Sequence, residues 1–195
     1  ATVGLEDLDH CDLVILIGAN PASNRPRFMK HLMQVKRNGG KVVVVNPLRE
    51  VGLERFKVPS DVRSMLRATP IADLYLKPNI GGDALMLVGL VKELVERDAI
   101  DRPFVEQFAE GWPAFEALVN ATTWACIERC GLTRAEIAQL ADVYCNSTST
   151  IFAWAMGITH HVHGVRTVQL IANAAIARGM LGRTGAGLLP LLGQP

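Results

Sequence analysis

The stretch LVILIGANPASNRP, residues 13–26, decides how the chain is read. Five consecutive apolar residues run straight into Gly18, and the chain then turns polar through Asn20, Ser23, Asn24 and Arg25. A short, β-branched-rich run bounded by a turn signal predicts a buried strand. Strands that end in glycine and small hydrogen-bonding side chains are suited to hold an anion. Glycine lets the backbone approach the ligand, and a helix opening near Asn24 to Pro26 would turn free N–H groups toward it.

Working outward, residues 27–40 place Phe28, Leu32 and Val35 at helical spacing and end on Arg37, Asn38 and Gly39, which suit a last turn and C-cap. KVVVVNP (41–47) predicts a second strand, apolar on both faces as parallel strands are. Strand, helix and strand make one βαβ unit. ADLYLKP (72–78) predicts a third, shorter strand, and residues 84–100 an amphipathic helix with its apolar stripe on Leu87, Leu90, Val91 and Leu94. Residues 101–147 read as helices, with Thr133 and Glu136 set as a capping box. TIFAWAMG (150–157) returns to a strand, and residues 163–181 give the last helix. The expected fold is α/β: a Rossmann-like, mainly parallel sheet with helices on both faces and a helical insertion. Residues 1–100 form the first βαβ portion of an α/β cofactor-binding domain. Residues 101–147 are the insertion, and residues 148–195 supply the returning strand, helix and Gly-rich turn of the same domain.

Composition fits a globular protein: 195 residues, 49% hydrophobic and 20% charged. No apolar run approaches the ~20 residues of a membrane span. The opening twelve residues are acidic where a signal peptide would be basic. Starting on Ala1 suits a piece of a longer polypeptide. Cys11, Cys126, Cys130 and Cys145 form no disulfide-like framework, so a reduced, cytoplasmic setting is expected. Net charge is +1, yet residues 21–70 carry eleven Lys and Arg against three acids. Such a stretch is a solvated face or meets a polyanion; it lacks any nucleic-acid reader motif.

Ligands in open parallel sheets sit beyond the carboxyl ends of the strands. Four such ends are readable: Gly18-Ala19-Asn20-Pro21, Asn46-Pro47-Leu48, Asn79-Ile80-Gly81-Gly82-Asp83, and Met156-Gly157-Ile158-Thr159-His160. All are rich in Gly, Asn, Asp or Thr, and together they point to a nucleotide-type ligand. No GxGxxG, P-loop, G-x-S-x-G or H-E-x-x-H motif is present. His160, His161 and His163 lack an acidic or cysteine partner close in sequence, so a hydrogen-bonding role is expected before a metal. Gly179, Gly182, Gly185 and Gly187 follow a helix and read as a C-cap and turn; Trp112, Trp124 and Trp154 read as core.

With those ends in place, the chain resembles the molybdopterin-dependent oxidoreductases, specifically large subunits similar to formate dehydrogenase. The resemblance covers nearly the whole chain. It rests on LEDLDHCDLVILIGANPASNRPRF, KVVVVNPLREVGLERF, IGGDALMLVGLVKELVERD and the string from Ala155 to Gln194, which carries M-G-x-T and G-x-x-G-x-x-G-A-G. It implies a bis(molybdopterin guanine dinucleotide) cofactor with molybdenum or tungsten, and an iron–sulfur cluster whose cysteines lie upstream of Ala1. Gly18, Asn20 and Asn24 would then lie along the pterin–diphosphate side. Asn46, Pro47 and Leu48 would line the guanosine pocket beside Gly81 and Asp83. Met156, Thr159 and His160 would approach the pterin, and Gln194 would stand near the active centre. The family often has Asp at position 46 and a basic residue at 48, where this chain has Asn46 and Leu48. No catalytic or metal-ligating residue is assigned within the chain, which alone is expected to be inactive. Its expected partners are the other domains of the parent subunit and an unidentified electron carrier, with no nucleic acid and no membrane span. The alternative from a different class is a stand-alone nucleotide-binding or interaction module without redox activity.

Overall fold

A computed structural model describes residues 1–56 and 69–191. Five strands form one sheet: β1 (Leu13–Ile17), β2 (Lys41–Val45), β3 (Leu74–Leu76), β4 (Thr150–Trp154) and β5 (Gly187–Pro190). Their order is β3-β2-β1-β4-β5 and every pairing is parallel. This is the doubly wound arrangement, in which the chain moves one way from β1 to β2 and β3 and the other way from β4 to β5.

Burial of β1 on both faces follows from its lack of any polar residue. Leu13, Ile15 and Ile17 enter one core and Val14 and Leu16 the other, all at most 1% exposed. On the second face lies helix α1 (Pro26–Arg37), which lays Phe28, Met29, Leu32, Met33 and Val35 against the sheet. The first face carries α2 (Asp83–Glu96), α3 (Arg102–Phe108), α4 (Trp112–Ala121), α5 (Arg134–Cys145) and α6 (Gly164–Ala177). The α1 and α6 crossovers thus sit on opposite faces, as the strand order requires.

α2 is the hub of the helical layer. A Cβ at Gly89 would stand 2.8 Å from Ile127 Cγ2 and 3.0 Å from Ile137 Cδ1, so glycine sets how closely α2 meets its neighbours. Glu93, 4% exposed, accepts from Arg97 at 2.8 Å and Arg134 at 3.3 Å. The capping box forms as expected: Thr133 Oγ1 accepts from Glu136 N and the Glu136 carboxylate accepts from Thr133 N at 2.8 Å.

Two sequence expectations need correction. The Gly-rich segment after α6 is a turn only in part, because Gly187–Pro190 continues as the edge strand β5. The strand expected over 150–157 ends at Trp154, and Met156–Thr159 form one helical turn. Three basic residues of that stretch, Lys57, Arg63 and Arg67, and Gln194 lie outside the described residues.

At the amino end of the sheet Asp12 ties β1 to β4. Its carboxylate accepts from the Ser147 hydroxyl, from Thr148 N at 2.9 Å and Oγ1 at 2.7 Å, and from Ser149 N at 3.3 Å. Burial alone would raise its pKa, but these donors outweigh it and hold the carboxyl below the usual range. Since the folded-state value is depressed, the stabilisation is present above the unfolded-state pKa and is lost as pH falls through the folded one. Asp12→Ala should therefore cost roughly 2–3 kcal/mol at neutral pH. Thermal melts should show that difference closing in acid; a difference unchanged from neutral pH to acid would contradict this role.

Candidate functional site at the carboxyl edge of the sheet

All four strand ends converge on one crevice. Gly18 N–H donates to Val45 O at 2.9 Å, which closes β1 onto β2. Gly157 N–H donates to Gly18 O at 3.1 Å, which closes β1 onto the segment after β4. Gly18 is left-handed at φ +59°, a conformation that glycine adopts without steric cost. At Gly157 the constraint is space, because a Cβ there would lie 2.5 Å from Gly18 O. The crevice opens where the strand order reverses, the position at which open α/β sheets take their ligands.

The crevice is a cavity of about 350 Å³ lined by Gly18, Ala19, Asn20, Asn46, Pro47, Ile80, Gly81, Asp83, Gly157 and His161. A second cavity of about 270 Å³ shares Gly81, Asp83 and His161 and extends past Ile158, Val162, His163 and Thr167. The turn after β3 is held from below: Asn79 N–H donates to Cys130 O at 2.6 Å and Gly82 N–H to Asn79 O at 2.8 Å. This leaves Gly81, at φ +80° with nothing within 4 Å of a Cβ, facing open space.

Two buried polar groups in the lining have acceptor capacity to spare. Asn20 Oδ1 is buried with no hydrogen-bond donor. Asp83 is 8% exposed at the start of α2, and burial pushes its carboxyl up, with its own backbone N–H and the nearby His161 pulling it partly back. Asn20 Oδ1 has no donor, and the Asp83 carboxylate keeps acceptor capacity beyond its own backbone N–H. Among the described residues, neither cavity is lined by a Lys or Arg. Lys36 instead pairs with Asp73 and Arg49 with Glu54. The two linings therefore offer hydrogen-bonding side chains and backbone groups, with no cationic side chain among the described residues. Among the described residues, no group of three or more His, Cys, Asp or Glu side chains is placed to hold a metal ion.

Of the residues singled out from sequence, Gly18, Asn20, Asn46, Pro47, Gly81 and Asp83 stand together in the lining. Asn24 ends the helical turn Pro21–Asn24. Leu48 is 69% exposed beside the crevice, and Met156 is 41% exposed. Thr159 and His160 are also exposed, with His160 N–H capping the turn onto Met156 O at 3.0 Å. The lining histidines are His161, the next residue, and in the second cavity also His163; the lining threonine is Thr167. Ala19, Ile80 and Gly157 also belong to it. The strand-end motifs contained Gly157, but the one-turn helix that swings His160 outward has no signature of its own.

Comparison with known proteins supplies a family. A family model described as molybdopterin oxidoreductase matches residues 1–192. The chain is 40% identical over 206 aligned residues to Protein YdeP of Escherichia coli, covering 99% of this chain and 27% of that protein. It is 34% identical to an uncharacterized oxidoreductase, Rv2900c, of Mycobacterium tuberculosis, covering 99% and 26%. It is 29% identical to formate dehydrogenase H of Escherichia coli, covering 97% and 24%. Among solved structures, acetylene hydratase from Pelobacter acetylenicus shares the fold with a TM-score of 0.74 at 17% identity, covering 90% of this chain and 22% of that one. The chain thus spans about a quarter of the length of the curated relatives it matches.

Two substitutions test the site. Asp83→Asn removes a carboxylate whose folded-state pKa is raised, so its ionisation weighs against the folded state. The variant should be more stable than the parent by about 1 kcal/mol at neutral pH. The gap should shrink as pH falls through the raised folded-state value and close below the ordinary aspartate pKa of about 3.9, where the carboxyl is protonated in both states. Loss of stability in Asp83→Asn at neutral pH would show a structural carboxylate instead. Gly157→Ala must displace the end of β1 and should cost about 2 kcal/mol or more in a denaturant titration; a neutral result would contradict the close approach.

Proposed function

The chain belongs to the molybdopterin oxidoreductase family, and on that premise we propose that it cradles one guanine dinucleotide arm of a bis(molybdopterin guanine dinucleotide) cofactor. Family membership implies a molybdopterin cofactor with molybdenum or tungsten. The dinucleotide form is inferred from the crevice. The observation that carries it is a buried acceptor without a donor, Asn20 Oδ1, which shares the crevice lining with the buried Asp83 carboxylate beside the contact of Gly18 and Gly157. Guanine and pterin rings present N–H donors and ribose presents O–H donors, so these residues fit such a group.

In this reading Asn46, Pro47 and Leu48 face the guanosine, with Gly81 and Asp83 beside it. Gly18, Asn20 and Asn24 follow the pterin–diphosphate side, where backbone amides take the place of countercharge. Met156, Thr159 and His160 stand on the pterin side, with His161 nearer the crevice. When bound, the cofactor supplies the metal-centred redox chemistry; the protein binds, orients and excludes water.

The parent's activity is proposed to be an oxidoreduction of the formate dehydrogenase kind, in the cytoplasm. The iron–sulfur cluster and the metal-ligating residue belong to parts of the parent outside this chain. The rim of the crevice supports that division. Ile80, Val162 and Val165 are 81%, 97% and 76% exposed, an apolar edge suited to be covered by the remaining domains.

The test is chemical analysis of the parent-length protein. Molybdenum or tungsten should be present, and mild acid should release two equivalents of guanosine monophosphate per metal, because the dinucleotide form carries its nucleotide on a hydrolysable diphosphate. Metal without released nucleotide would overturn the dinucleotide reading.

A further inference from the structure

We propose that Tyr75 is a positioning residue that fixes the loop after β2 in the shape that reads the nucleotide. This rests on the functional reading above and goes beyond it by assigning a residue outside the crevice lining. Tyr75 lies at the middle of β3, opposite Val44, with its ring against the second core. Its hydroxyl donates to Leu48 O at 2.6 Å and accepts from Glu50 N–H at 3.1 Å. One phenol oxygen therefore bridges a carbonyl and an amide two residues apart and sets the turn between them.

Among the described residues, the other ties over that span are few: Arg49 pairs with Glu54 at 3.2 Å through two largely exposed side chains. Asn46 N–H donates to Leu76 O at 3.1 Å at its start, and Leu48 N–H reaches Asn46 Oδ1 only at 3.4 Å. Beyond Glu50 the chain is anchored again, since Glu50 O accepts from Leu53 N–H at 2.9 Å and Leu53 is fully buried. Leu48 and Val51 are 69% and 81% exposed and give no packing support. Asn46 and Pro47, the two lining residues of this loop, thus depend on Tyr75 for their exit geometry. A loop ordered before the ligand arrives spares the ligand that ordering cost, so the hydroxyl acts through affinity.

Tyr75→Phe keeps the ring and its packing and removes the bridge. Amide hydrogen exchange at Glu50 should accelerate by at least about tenfold, with the melting temperature nearly unchanged. Affinity for guanosine diphosphate, the probe for the nucleotide arm, should fall by about three- to tenfold by isothermal titration. Unchanged exchange at Glu50 overturns the positioning role whatever the affinities. Faster exchange with unaltered guanosine diphosphate affinity confines Tyr75 to local structure and also overturns it. Failure of the wild-type protein itself to bind guanosine diphosphate overturns the nucleotide reading, and with it the positioning role toward that ligand, while the exchange result still reports separately on the bridge.

Discussion

The contact between Gly18 and Gly157 is the constraint on which the rest of the structure depends. One glycine carbonyl accepts from the other's amide, and no Cβ fits between them. Because Gly18 N–H also donates to β2, this single residue joins three of the five strands at their carboxyl ends. The doubly wound order then opens a crevice directly above it. Larger residues at either position would push the two segments apart and separate the groups that line the crevice.

Around that knot, the aspartates at the two ends of the sheet are treated differently. At the amino end the Asp12 carboxylate is saturated by Ser147, Thr148 and Ser149, while Arg178 donates to the carbonyls of Cys145 and Ser147 with its Nε buried and unpartnered. At the carboxyl end Asn20 Oδ1 is buried without a donor, and the buried Asp83 carboxylate keeps acceptor capacity beyond its own backbone N–H. Satisfied groups stabilise the fold; unsatisfied ones at the switch point cost stability and suit a ligand. The same contrast gives Asp12 a depressed pKa and Asp83 a raised one, although both are aspartates beside sheet ends.

Much of this was legible in the sequence because the strongest signals are the physically strongest terms. LVILI and KVVVV are apolar on both faces, which specifies a doubly covered parallel strand, and both form over Leu13–Ile17 and Lys41–Val45. The glycine and asparagine strand ends followed from them. β5 was not legible, since Gly-Leu-Leu-Pro lacks β-branched residues and follows Gly179, Gly182 and Gly185; its strand character comes from pairing with Ile151–Trp154. Nor did any local pattern distinguish His161 from His160, because the choice depends on the single helical turn at Met156–Thr159. Tyr75 was hidden for a related reason: its hydroxyl meets Leu48 and Glu50 only after β3 has paired with β2.

The central claim is that ligand recognition occurs at the carboxyl edge, over the Gly18–Gly157 contact. Amide protection mapped residue by residue on adding guanosine diphosphate tests it most directly. The account predicts protection at Gly18 to Asn20, Asn46, Gly81 and Gly157. It would be contradicted by protection confined to the opposite edge, around the larger cavity of about 420 Å³ formed by residues such as Asp98, Ser147 and Arg178.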